Sequence, residues 1–265
     1  MKPIKEYLNE GLIRRQSGMD MRTKIENWLN EHNIKNYVLN DDLTIDYHPE
    51  VFHGSGSKDR FYFYMVDLSN YNETELPSYI QFGVVGGNFC MKNSQIASFN
   101  GFPKKCFRLN LSNCQRITSL KGCPDVTDGI DVSRCTNLTS LEGLPKKISH
   151  SFNCSGCTAL KSLKGAPSVG YSFLCDNCIR LESLKDIKLG RITGNFSCSG
   201  CTNLENLIGS PRECANYFCR DCTSLKSLEG ISKKIAGDFY ASGCSKRFTR
   251  ASAKKWGAEV MLGRR

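Results

Sequence analysis

The chain has 265 residues, 40% hydrophobic and 23% charged, the make-up of a globular protein long enough to bury a core. No apolar run reaches the roughly 18 residues of a membrane helix, and no secretory start is seen, so the expected setting is a cytoplasm with reduced thiols for all fifteen cysteines. The 36 basic and 26 acidic residues leave a net charge of +10, which suits an acidic partner such as nucleic acid and equally a solvated surface.

In chain order, residues 1–10 open with Met1-Lys2, pass through Glu6-Tyr7 and end in Leu8-Asn9-Glu10. This stretch resembles the capsid-targeting leader of internal head proteins of large tailed bacteriophages. The resemblance implies a phage-encoded chain, cleavage between Glu10 and Gly11 with Leu8 as part of the recognised triplet, and a place in the phage head interior as well as the host cytoplasm. From Met19 to His32, the spacing of Met21, Ile25, Trp28 and Leu29 predicts an amphipathic helix. Tyr37-Val-Leu39 and Leu43-Thr-Ile45 flank Asn40-Asp41-Asp42 as in a hairpin. Asp46, His48, Glu50 and His53 straddle Pro49 and fit no zinc spacing, so they read as loop residues. Gly54-Ser-Gly-Ser-Lys58 lacks the phosphate-loop spacing and reads as a flexible link. Phe61 to Leu68 and Tyr79 to Val85 read as further strands, making residues 11–86 a small α/β cap on the chain from residue 87 onward.

A repeat then organises the chain. Its markers are Asn93, Cys114, Cys135, Cys157, Cys178, Cys201, Cys222 and Cys244, at steps of 21 to 23 residues. Three places after the first seven come Ile96, Ile117, Leu138, Leu160, Leu181, Leu204 and Leu225; three further on come Phe99, Leu120, Leu141, Leu163, Leu184, Leu207 and Leu228. Glycine and proline then close most units, as at Gly122 and Pro124. Ahead of each marker lies a short alternating segment such as Phe152-Asn-Cys154, which predicts one strand per unit with its apolar side chains on one face. No unit can bury that face alone; stacked units make one core, with turns or 3₁₀ segments on the outer side.

The pattern Leu109-x-Leu111-x-x-Cys114-x-x-Ile117 resembles the leucine-rich repeat, in a short form with cysteine at the consensus asparagine. The resemblance implies an α/β repeat protein: about eight coils over residues 87–250, with a parallel β-ladder on the concave face. That face is where such proteins bind partners, usually proteins. Cys-x-x-Cys pairs such as Cys154/Cys157 would suggest zinc in isolation, but both cysteines fall at inward repeat positions and read as core thiols. Disulfides and metal remain the lesser alternatives.

The residues between the inward positions face out and are the candidate contact set: Asn110, Asn113, Asp131, Arg134, Asn153, Leu174, Asp176, Asn177, Arg220, Asp221 and Tyr240, with Ser112 and Ser197 among their small polar neighbours. Small polar residues also simply keep a sheet soluble. Lys104-Lys105, Lys146-Lys147 and Lys233-Lys234 share one repeat position and should align as a discontinuous stripe near the turn edge; it could touch nucleic-acid phosphates, but no aromatic stacking pattern accompanies it and it reads as a solubilising edge. Ser252 to Leu262 suggests a capping helix in a basic tail, residues 251–265. The expectation is a non-enzymatic protein-binding module without cofactor, metal, membrane or small-molecule substrate. The alternative is a structural internal head protein packaged with phage DNA.

Overall fold

The computed structural model describes residues 20–47 and 65–261. Helix α1 (Met21–Glu31) buries Ile25, Trp28 and Leu29, the three- and four-residue spacing that gives a helix one apolar face. Met21, at the first helical residue, is exposed instead. The Arg22 guanidinium ties the helix to the next element by donating to the Leu39 carbonyl at 3.1 and 3.0 Å. That element is an antiparallel hairpin of β1 (Tyr37–Leu39) and β2 (Ile45–Tyr47), in whose turn Asp42 Oδ1 accepts the Thr44 N–H at 3.0 Å.

Every later pairing is parallel. One half of β4 (Phe82–Cys90) takes β2, with Tyr47 beside Val85; the other half takes β3 (Met65–Asp67), with Asp67 beside Cys90. The expected boundary after residue 86 thus falls inside a strand, and the hairpin shares one eleven-stranded sheet with the repeats. That sheet continues through β5 (Lys105–Asn110), β6 (Asp125–Asp131), β7 (Phe152–Asn153), β8 (Phe173–Leu174) and β9 (Phe196–Ser197). A second, three-stranded sheet on another side of the coil joins β10 (Glu213–Cys214), β12 (Lys234–Ile235) and β14 (Glu259–Val260). The long sheet ends with β11 (Tyr217–Phe218) and β13 (Phe239–Tyr240).

The architecture is a mostly-β parallel solenoid of about nine coils. The sequence suggested eight; β3 opens one more, because Val66, Leu68 and Tyr71 occupy the same inward places as their counterparts in later coils. On the outer side the coils use turns and the short second strands, not helices. Near the end, α2 (Arg250–Lys255) is a single capped turn and a half, with Thr249 Oγ1 accepting the Ser252 N–H at 3.2 Å. The helix expected through Leu262 stops at Gly257, whose φ of 79° only glycine adopts freely, and the chain then adds β14 to the second sheet.

Stacking turns single inward residues into columns. Val66, Phe89, Leu109, Ile130, Phe152, Phe173, Phe196, Tyr217 and Phe239 form one, and the residues two further on form the next. The repeat's leucines wall the opposite side; Leu138, Leu160, Leu181, Leu204 and Leu225 are fully buried. The side that carries the short second sheet adds Tyr47, Val85, Cys106, Val126, Ile148, Val169, Ile192, Cys214, Ile235 and Val260.

The marker cysteines have a specific job. Each reaches back to a main-chain carbonyl of the preceding coil: Cys114 Sγ to Met91 O at 3.0 Å, Cys135 to Leu111 O at 3.1 Å, Cys157 to Val132 O at 3.1 Å and Cys178 to Cys154 O at 3.3 Å. Cys201, Cys222 and Cys244 repeat the contact on Cys175, Cys198 and Cys219. Most of these carbonyls already accept a main-chain N–H within their own coil, as Leu111 O does from Cys114 at 3.2 Å, and the thiol adds a second donor from the next coil while packing like a small apolar group. All fifteen thiols are free.

Just before each marker the chain turns left-handed, at Asn113, Arg134, Gly156, Asn177, Gly200, Asp221 and Gly243. Asparagine, aspartate and glycine tolerate that conformation best. Asn93 (φ 59°) has the same conformation, so it is the turn residue of its coil and not the marker. The marker place belongs to Ser94, which is buried with its Oγ 3.3 Å from Cys114 Sγ.

Candidate functional site: the outward face of the long sheet

Parallel pairing sorts the candidate contact residues into three rows. Asn110, Asp131, Asn153, Leu174, Ser197, Phe218 and Tyr240 lie in one register row. Asp176 and Arg220 belong to the row two residues on, otherwise mostly serine. Asn113, Arg134, Asn177 and Asp221 are left-handed turn residues. The eleven share this outward side, but Ser112 and Ser197 are buried between neighbouring coils rather than displayed.

Several of these polar groups are occupied in holding the coil. The side-chain oxygens of Asn110, Asp131 and Asn153 accept the main-chain N–H two residues on, at 2.9, 2.8 and 3.0 Å. Asn113 Nδ2 donates to Asn93 Oδ1 at 3.0 Å, one rung of an asparagine ladder. Leu174 offers no acceptor, so the Asp176 N–H turns to Ser155 Oγ at 3.2 Å. Asp176 in turn accepts the Ser199 N–H at 2.8 Å and the Ser197 hydroxyl. Burial pushes the Asp176 carboxyl above its usual range, and those serine hydrogen bonds pull it partly back.

Toward the first coils the face dips into an open groove between Met65 and Leu174. Gly129 makes room in its floor: a Cβ there would lie 3.4 Å from Ser151 O and 3.7 Å from Arg108 Nε. Arg108 Nε donates to Asp128 Oδ2 at 2.5 Å, and Ser149 Oγ donates to Asp128 Oδ1 at 2.9 Å, so this buried carboxylate is balanced. His150 stacks on Tyr171 with ring centres 4.6 Å apart. Asn88 Oδ1, on the groove wall, is buried without a hydrogen-bond partner.

At the other end the face changes character. Phe218 and Tyr240 stack at 5.1 Å with 7° between their planes, and the Arg220 guanidinium lies 4.4 Å over the Tyr240 ring. Tyr240 Oη donates to Asp238 Oδ2 at 3.1 Å, while Asp238 Oδ1 pairs with Arg250 at 2.6 Å. The aromatic pair and its cation are therefore fixed in place. Arg220 and Tyr240 were candidates from the sequence; Phe218 was not, although its place between inward Tyr217 and Cys219 already sends it outward.

Among the described residues, no group of three or more His, Cys, Asp or Glu side chains is arranged to hold a metal ion, and no helix is long and apolar enough to cross a membrane. Leu8, Glu10 and Gly11 of the leader, with His48, Glu50, His53 and the Gly54–Lys58 stretch, lie outside the described residues. No family model, curated protein or solved structure matches the chain.

Proposed function

We propose that the chain is a binding module of the leucine-rich-repeat type, without enzymatic activity, which engages a protein through the outward face of its long sheet. The observation that carries this reading is the Phe218–Tyr240–Arg220 cluster. Tyrosine and arginine concentrate binding energy in protein interfaces, and a side chain already held by its neighbours loses little entropy on contact. The polar rows toward Asn110 then form the hydrated part of the contact, their geometry fixed by the main-chain bonds they accept. The leader-like residues 1–10 point to a phage-encoded protein and hence to a bacterial host or virion protein as partner.

The test is capture from a bacterial lysate by the folded chain and by a Phe218→Ala/Tyr240→Ala variant. The reading expects a protein retained by the wild type and lost from the variant, with unchanged thermal stability. If everything retained by the wild type is also retained by the variant, this face is not the contact surface.

A further inference from the structure

Among the described residues, 28 basic and 22 acidic, the charge is not spread evenly. On the outward face Lys92, Arg134 and Arg220 stand against Asp131, Asp176 and Asp221, while Arg108 is spent on Asp128, so that side is close to neutral. The excess lies on the flank that carries the second sheet. Here Lys105 pairs with Asp125, Lys147 bridges to Ser168, Arg191 bridges to Glu213, and Glu213, Lys234 and Glu259 pair in turn. Main-chain bonds align the residues just before them: Lys104 O accepts the Asp125 N–H at 3.0 Å, Gly190 O the Arg212 N–H at 2.8 Å and Arg212 O the Lys233 N–H at 2.9 Å. The flank therefore presents Lys104, Lys105, Lys146, Lys147, Arg191, Arg212, Lys233 and Lys234, all exposed, against Asp125, Glu213 and Glu259. Asp42 stands near Lys104 at one end.

Only Arg191 has an ion pair among the described residues, with Glu213 at 3.6 Å, and it is largely solvated. The other seven cations of the flank pair with no carboxylate among the described residues. Two gaps, at Pro124-Asp125 and Pro167-Ser168, divide them into groups rather than a continuous run.

We propose that this flank binds the phosphate backbone of duplex nucleic acid, by charge and without reading sequence. Coils repeat at about 4.8 Å, so the six steps from Lys104 to Lys233 span about 29 Å. That length is a little under one helical turn of a duplex, so the winding strands bring phosphates to the near side in clusters rather than in one continuous row. Groups of cations held at fixed places along the coil meet those clusters, and release of condensed counterions supplies the free energy. Among the described residues the large exposed rings are Tyr171 and Trp256, coils apart and too few for the successive stacking a single strand calls for, so the duplex is the better fit. This surface is separate from the Phe218–Tyr240 cluster, and the two can be broken independently.

The experiment is fluorescence anisotropy of a labelled, mixed-sequence duplex DNA of about 25 base pairs, titrated with the full chain between 50 and 200 mM salt. The affinity should fall linearly with salt on logarithmic axes, at about 0.9 per phosphate engaged. Replacing Lys104, Lys105, Lys233 and Lys234 by glutamine touches no buried group. It should weaken binding about tenfold or more at 0.1 M salt and make the slope shallower by about one for each lysine engaged. Phe218→Ala/Tyr240→Ala should leave both quantities unchanged. Absence of binding at 50 mM salt, or a glutamine variant with the wild-type affinity and slope, would overturn the proposal. A single-stranded oligonucleotide bound more tightly than the duplex would overturn the duplex assignment.

Discussion

The first four coils and the last five solve the same packing problem with different residues. In the first four, the strand's inward residue and its partner two places on are Val66/Leu68, Phe89/Met91, Leu109/Leu111 and Ile130/Val132. In the last five they are Phe152/Cys154, Phe173/Cys175, Phe196/Cys198, Tyr217/Cys219 and Phe239/Ala241. Apart from Phe89/Met91, a ring is matched with a small side chain and a mid-sized aliphatic with another of its kind. The volume per coil stays nearly constant, as it must when identical main-chain spacings enclose a close-packed interior. The rings also touch along the axis, at 5.4 Å for Phe152–Phe173 and 5.1 Å for Phe196–Tyr217. Cys154, Cys175, Cys198 and Cys219, the cysteines that the later coils add to the markers at these strands, are therefore the small half of a pair with the rings beside them.

The largest expected effect comes from alkali, because buried thiols of both regions, ten of the fifteen from Cys154 onward, ionise more readily in the unfolded chain. Burial pushes the Cys135 thiol up to about 12 and Cys214 up to about 11. In the unfolded chain a thiol ionises near 8.5. A folded value above the unfolded one gives stability that is complete below about pH 8.5 and lost as pH rises toward the folded value. Each such thiol removes about 1.4 kcal/mol per pH unit, so these two alone remove about 4 kcal/mol by pH 10. The urea midpoint, measured under reductant from pH 7 to 10, should fall steeply; a flat profile would mean the thiols are not buried.

A smaller effect tests the volume account itself. Cys175→Leu overfills the coil beside Phe173 and should cost about 1–3 kcal/mol. Adding Phe173→Leu recreates the Leu109/Leu111 pairing of the early coils and should recover most of the loss, a coupling within the usual range of about 0.5–3 kcal/mol. Strictly additive losses in chemical denaturation would break the account. The smallest effect belongs to Asp176, whose folded carboxyl value lies above the unfolded one. Its contribution is most favourable below about pH 4 and diminishes as pH rises through the folded value. Asp176→Asn should thus match the wild type at pH 3 and melt slightly higher at pH 7, since its Oδ1 still accepts from Ser197 and Ser199. A variant less stable at pH 7 than at pH 3, relative to the wild type, would show that the charge is needed.

Much of this molecule is legible from its period. The leucine columns, the inward cysteines and the outward rows all follow from a marker recurring every 21 to 23 residues. The first coils are harder to read because the marker changes identity: serine at Ser94 and tyrosine at Tyr71 carry no visible relation to cysteine, and Asn93 mimics a consensus residue while serving as a turn. The second sheet leaves almost no sequence signal, since each of its three strands has two residues and buries one, as at Cys214 and Ile235. On the outward face, the types of the residues were legible but not their engagement. Whether Asn153 is displayed or holds the Ser155 N–H depends on a turn geometry that composition does not encode.

Across the middle of the solenoid each coil hands the next an identical set of main-chain bonds. Cys154 N–H reaches Leu174 O at 2.9 Å, Cys175 reaches Ser197 O at 2.8 Å and Cys198 reaches Phe218 O at 2.9 Å. The lower edge of any of these coils therefore fits the upper edge of any other. In genetic terms the domain's length is quantised: an in-frame gain or loss of the 21 residues from one strand to the next, as from Cys154 to Cys175, joins matching edges and preserves every column. A one-residue change within a strand sends its polar residues into the core, so length varies by whole coils or by the residue or two that the turns between strands already absorb.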